Sequence, residues 1–132
     1  MMERAGIHFE FVEYPLKPLP IPEQQFCVLI SNLLDNAIEG VMRLPATKSQ
    51  RHVKLIFSKV WEMFFITCTN DADETRIIRS GDAFLSVKPH PELHGFGTKS
   101  IKKIVSEAGG TVEFDIKQGQ FTVRIMLGAQ QR

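Results

Sequence analysis

The chain has 132 residues, enough for one domain with a substantial core. Its 16 basic and 15 acidic residues leave a formal net charge of +1, which gives no electrostatic reason to expect nucleic acid or an anionic membrane as a partner. No apolar run approaches the length of a membrane span, and the stretch Met1 to Gly6 is not a signal peptide. Cys27 and Cys68 are too few for a disulfide framework and lack metal-type spacing, so two buried thiols in a reducing cytoplasm are expected.

Ile7, Phe9 and Phe11 alternate in a first strand, residues Ile7 to Val12. Pro15, Pro18, Pro20 and Pro22 then forbid regular structure and deliver the chain to a helix, with Pro22 near its first turn. That helix runs from about Glu23 to Leu44, ahead of Pro45. Its buried face is Phe26, Leu29/Ile30, Leu33/Leu34, Ala37/Ile38 and Val41/Met42, at three-and-four spacing. Asn32, Asn36, Glu39 and Arg43 form a polar row on the same cylinder. A solvated face is the usual meaning of such a row, but Lys and Glu serve that purpose better than Asn, a mediocre helix former. An amide can instead offer a neutral oxygen to a cation and its NH2 group to an anion. Mg2+ takes oxygen ligands, keeps several waters and is commonly shared with substrate phosphates, so one amide on a helix suits it.

Val53, Leu55 and Phe57 alternate in a second strand, a turn follows near Trp61, and Met63 to Thr69 is dense enough for a central strand. Asn70 to His94 has little periodicity and is expected to be a long loop, a length that usually serves a function. A second helix is expected from about Thr98 to Ala108, burying Ile101, Ile104, Val105 and Ala108 and stopped by Gly109-Gly110. Strands Thr111 to Ile116 and Gln120 to Leu127 close the chain as a hairpin through Gln118-Gly119. The order predicts an α/β (α+β) two-layer sandwich: a mixed, mostly antiparallel sheet with helices on one face.

His94-Gly95-Phe96-Gly97-Thr98-Lys99-Ser100 opens the second helix. Glycines let backbone N–H groups approach a ligand closely, and a helix start adds unpaired donors and the positive end of a dipole. Lys99, Lys102 and Lys103 crowd that end against the dipole, a conflict that a bound polyphosphate would relieve and that a solvated face explains more cheaply. By itself the Gly-x-Gly is weak: it is neither a dinucleotide fingerprint nor a Walker loop.

Together, Asn32-Leu33-Leu34-Asp35-Asn36-Ala37-Ile38-Glu39, then Gly95-Phe96-Gly97 with Ser100-Ile101-x-x-Ile104-Val105, then Gly109-Gly110-Thr111 and Phe121-Thr122-Val123 resemble the ATP-binding domain of the GHKL superfamily. The likeness covers nearly the whole chain and is strongest to the catalytic domains of bacterial sensor histidine kinases, in the peptide quorum-sensing branch. It implies a Bergerat-type fold in a single domain over residues 1–132, excised from a longer kinase, with a lid at about 71–94. It also implies site roles. Asn36 would ligate the Mg2+ that bridges the ATP phosphates, and Asn32 would assist with phosphates or metal-bound water; these two are the catalytic candidates. Asn70 would accept from the adenine amino group, where most of the superfamily has Asp. The usual Asp-x-Gly-x-Gly box is replaced here by Asn70-Asp71-Ala72-Asp73. Lys88, after Ser86, would be a lid cation, and Gly95, Phe96, Gly97 and Thr98 would complete the cofactor site.

The resemblance implies a cytoplasmic domain that binds Mg2+-ATP and presents the γ-phosphate to a His on a helical dimerisation domain. A response regulator would lie downstream, and the full kinase would be a membrane-anchored homodimer. No nucleic-acid partner is implied. His8, His52, His90 and His94 do not look like phosphoacceptors. The alternative is a catalytically inactive GHKL module for nucleotide sensing or protein interaction.

Overall fold

A computed structural model describes residues 6–13, 19–44, 51–73, 77–80, 83–86 and 94–128, with the backbone alone for 77–80, 83–86 and 94–97. The elements are β1 (His8–Val12), α1 (Glu23–Met42), β2 (His52–Val60), β3 (Met63–Asp71), β4 (Ile77–Ser80), β5 (Ala83–Ser86), α2 (His94–Glu107), β6 (Thr111–Lys117) and β7 (Gln120–Gly128). Five strands form one sheet in the order β1-β2-β3-β7-β6, and β4 and β5 make a separate hairpin. Only β1 pairs in parallel, with His8 opposite His52, while every other pair in the sheet is antiparallel. The expected mixed, mostly antiparallel sheet under a helical layer is the architecture found.

β3 is the middle strand, and its alternation sets the layering. Phe64, Ile66, Cys68 and Asn70 are buried, while the residues between them are partly exposed. Phe121, Val123, Ile125 and Leu127 repeat the pattern on β7. Onto this face α1 packs Leu29, Leu33, Ala37 and Val41, and α2 packs Ile101 and Val105, all in one continuous core. Burying each such side chain contributes about 1.5–3 kcal/mol, so the apolar stripe of α1 holds the helix against β3 far more firmly than helix propensity could.

Local chemistry sets the ends of the helices. Pro22, φ −53°, stands at the N-cap of α1, and its carbonyl accepts from Phe26 N–H at 2.9 Å. At the end of α2, Gly109 takes φ +75°, Gly109 N–H donates to Ser106 and Gly110 N–H to Val105 at 2.9 Å. This six-to-one bond closes a Schellman cap, which explains why the two glycines stop the helix. Gln118 (φ +55°) and Gly119 (φ +75°) make the two-residue turn between β6 and β7, with both residues left-handed as a type I′ turn requires.

Three expectations are corrected. The stretch from Asn70 to His94 is not all loop: β3 runs on to Asp71, and β4 pairs with β5, with Ile77 opposite Ser86. Strands of four residues are too short to show a period of two, which is why pattern alone passes over them. Second, α2 begins at His94 rather than near Thr98, so Gly95 and Gly97 lie inside its first turn. Glycine disfavours helix by about 1 kcal/mol in an interior, a preference that packing of the following turns overrides here. Third, Cys27 is exposed, and only Cys68 is buried.

The Cys68 thiol donates weakly to the Leu33 carbonyl of α1, Sγ···O 3.9 Å, and burial pushes its pKa from 9.0 up to about 12. In native protein a thiol-reactive chromophore is expected to titrate one thiol, Cys27, at neutral pH, with Cys68 reacting only on unfolding. Because the folded pKa is the higher one, the stability Cys68 contributes is complete below pH 9 and is lost as pH rises toward 12. Rapid labelling of both thiols in folded protein would contradict this packing.

Candidate functional site

The polar row of α1 separates into members with different duties. Asn32 donates from Nδ2 to Ser100 Oγ of α2 at 2.8 Å, which clasps the two helices together at the middle of α2. Glu39 and Arg43 form an i,i+4 ion pair at 3.8 Å. Asn36, one turn beyond Asn32, is half-buried, and its amide has no hydrogen-bond partner among the described residues. An amide left unmatched in mid-helix, beside an amide clasped to the neighbouring helix, gains nothing for folding. It does present an uncommitted neutral oxygen.

Away from that row, the last residue but one of β3 is polar and buried. Asn70 is 3% exposed, and its Nδ2 donates to the Asp71 carbonyl at 2.9 Å. The strand end is pinned from both sides. Asp71 Oδ2 accepts from the His52 backbone N–H at 2.7 Å and stands 2.9 Å from the His52 ring Nδ1. Ala72 N–H donates to the Gly119 carbonyl in the β6–β7 turn at 2.9 Å. His8 packs edge-on against His52, with ring centroids 5.4 Å apart. Gly40 of α1 lies directly over Asn70, and a Cβ there would collide with the Asn70 amide.

α2 supplies the third wall. Gly95, Phe96 and Gly97 lie in its first turn, where the leading backbone N–H groups have no partner within the helix. Thr98 is buried at 2% exposure, so it belongs to the seam between the layers rather than to an open surface. The structure thus brings Asn32 to the middle of α2, sets Asn36 one turn along the same row, and brings Asn70 under the last turn of α1. Lys88 lies outside the described residues, as does His90.

Sequence reasoning singles out the three amides but misses what holds two of them. Ser100 reads only as part of an apolar helix pattern. Gly40 leaves a clearer signal: a lone glycine inside a 20-residue helix costs about 1 kcal/mol and calls for a packing reason. His52 and Asp71 are far apart in sequence, and no spacing rule joins them.

The donor set fits a magnesium ion shared with phosphates. Among the described residues no three His, Cys, Asp or Glu side chains converge on one point. What they offer is Asn36, an amide with neither end committed among the described residues, one turn from the Asn32–Ser100 bond to the glycine-bearing helix α2, which suits an ion that takes most of its ligands from water and phosphate.

Residues 22–128 match the family model described as the GHKL domain. Several solved structures share the fold. The catalytic domain of the histidine kinase ThkA superposes with a TM-score of 0.70 at 15% identity, covering 98% of this chain and 85% of that one. The mycobacterial sensor histidine kinase MprB gives 0.64 at 18% identity, covering 98% and 87%. The histidine kinase domain of the blue-light activated kinase of Erythrobacter litoralis EL346 gives 0.66 at 17% identity, covering 95% of this chain and 52% of that one. No curated protein matches the sequence. A family match over that span, on a fold shared with histidine kinase catalytic domains, settles the affiliation: the chain belongs to the GHKL domain family.

Proposed function

We propose that the domain binds Mg2+-ATP and presents the γ-phosphate to a histidine on a separate helical domain, as the catalytic half of a sensor histidine kinase. The observation that carries this reading is the Asn36 amide, half-buried and without a partner among the described residues, in a helix clasped to the glycine-bearing helix α2. Asn36 would give Mg2+ one oxygen, and the start of α2 would hold phosphate through backbone N–H groups. Asn70 would accept from the adenine amino group, and Lys88 would bring a cation to the phosphates. The metal would supply charge neutralisation, and the chain would supply position, which is most of what phosphoryl transfer requires. The acceptor histidine is the nucleophile, so the isolated domain is expected to bind nucleotide with little turnover. Asn70 in place of Asp supports the peptide-responsive branch. The partner is then the dimerisation domain of a homodimeric, membrane-anchored kinase, and a response regulator is the eventual recipient.

The test is calorimetric titration of ATP and ADP with and without Mg2+, followed by transfer of labelled phosphate to an added histidine-bearing helical domain. Metal-dependent binding and labelling of that domain are expected. Binding without any transfer would favour a nucleotide-sensing module, and no binding would overturn the nucleotide reading.

A further inference from the structure

We infer that Gly40, on the nucleotide-binding helix, sets base specificity by holding the Asn70 amide in the one orientation that selects a 6-amino purine over a 6-oxo purine. This rests on the nucleotide-binding reading above and assigns to it a residue outside the amide motif.

An Asn is an ambiguous reader, because one end of its amide accepts and the other donates. Unrestrained, Asn70 would suit an adenine amino group through Oδ1 and a guanine or hypoxanthine carbonyl through Nδ2. The structure removes the ambiguity. Nδ2 donates to the Asp71 carbonyl at 2.9 Å, and a flipped amide would set Oδ1 against that same carbonyl, acceptor against acceptor. Oδ1 is therefore the one polar atom of this 3%-exposed side chain without a partner among the described residues. An uncommitted acceptor on a buried side chain wants a donor, and it penalises a ligand that offers another acceptor in its place.

The fixed orientation needs room, and Gly40 provides it. The Asn70 Nδ2 is the nearest atom to where a Gly40 Cβ would stand, inside contact distance. Neither side can yield easily. Asn70 is paired with Val53 on β2 and with Phe121 on β7, and the next residue is clamped by His52. Helix α1 is packed along its length on the core through Leu33, Ala37 and Val41. A methyl group at position 40 would displace the amide, break its bond to Asp71 and free it to turn.

The experiment measures affinities for Mg2+-ATP and Mg2+-ITP, which differ at the 6-position of the base. Wild type is expected to prefer ATP by about tenfold to a hundredfold. Gly40→Ala is expected to lose most of that ratio, chiefly through weaker ATP, with ITP affinity nearly unchanged because the metal and phosphate contacts lie elsewhere. If Gly40 acts through Asn70, adding Gly40→Ala to Asn70→Ala lowers neither affinity nor melting temperature further, and the better helix former raises the latter slightly. A wild-type ATP/ITP ratio in Gly40→Ala would overturn the inference. So would additive losses in the double variant, including a failure to fold where Asn70→Ala folds. Wild type binding both nucleotides equally would defeat this inference alone, whereas binding neither would defeat the nucleotide reading as well.

Discussion

Asn36→Ala is expected to lower affinity for Mg2+-ATP by about a hundredfold or more while leaving the melting temperature unchanged or slightly raised. The two halves of that result have separate causes. Asn36 makes no hydrogen bond among the described residues, so its removal strands no partner, and Ala is the better helix former by about 0.6 kcal/mol. Any loss of binding then reflects the missing ligand oxygen rather than a damaged fold. Asn32→Ala is the instructive contrast, since it breaks the 2.8 Å bond to Ser100 and should loosen the α1–α2 seam together with nucleotide binding. Calorimetric titration beside thermal melting distinguishes the two. An Asn36→Ala protein that binds Mg2+-ATP at wild-type affinity would refute the metal assignment.

What the sequence discloses depends on the length of each pattern. Helix α1 and strands β2, β3 and β7 carry nine or more residues of consistent period, and the structure departs from the reading of each by only a few residues at the ends. β4 and β5 have four residues each and pair only with one another, so nothing in their sequence distinguishes them from loop. The early start of α2 is hidden by Gly95 and Gly97, whose intrinsic preference opposes the conformation they adopt. Within the site, Asn70 can be read from period alone: it follows Phe64, Ile66 and Cys68 at alternate positions, so a polar group falls in an apolar register. The clamp on its neighbour cannot, because His52 and Asp71 are joined only by the β2–β3 register. The exposure of Cys27 escapes the pattern for a related reason. An apolar stripe defines a face of a helix but not how far around that face the sheet reaches.

Ile66→Ala is expected to cost about 3–4 kcal/mol of folding stability. Ile66 has no exposed surface and lies at the middle of the central strand, paired with Phe57 on one side and Ile125 on the other. Truncation loses the transfer free energy of three carbons and leaves a cavity that two flanking strands cannot close without breaking their pairing. Ile66→Val, which removes one carbon, should cost about 1 kcal/mol. Against a stability of about 5–15 kcal/mol for a domain, the Ala variant is expected to melt about 10 °C lower and to populate the unfolded state measurably near 37 °C. Ligand linkage ties this fold prediction to function. Mg2+-ATP at about a hundred times its Kd should restore about 2.7 kcal/mol, nearly cancelling the loss, because the proposed site draws on α1, α2 and β3 and would exist only in the folded chain. The same nucleotide added to Ile66→Ala combined with Asn36→Ala should restore almost nothing. Recovery in the single variant and none in the double would show that the amide row and the core strand beneath it belong to one folding unit. Equal recovery in both would mean that nucleotide stabilises the domain without Asn36, and the binding site would have to be sought away from that helix.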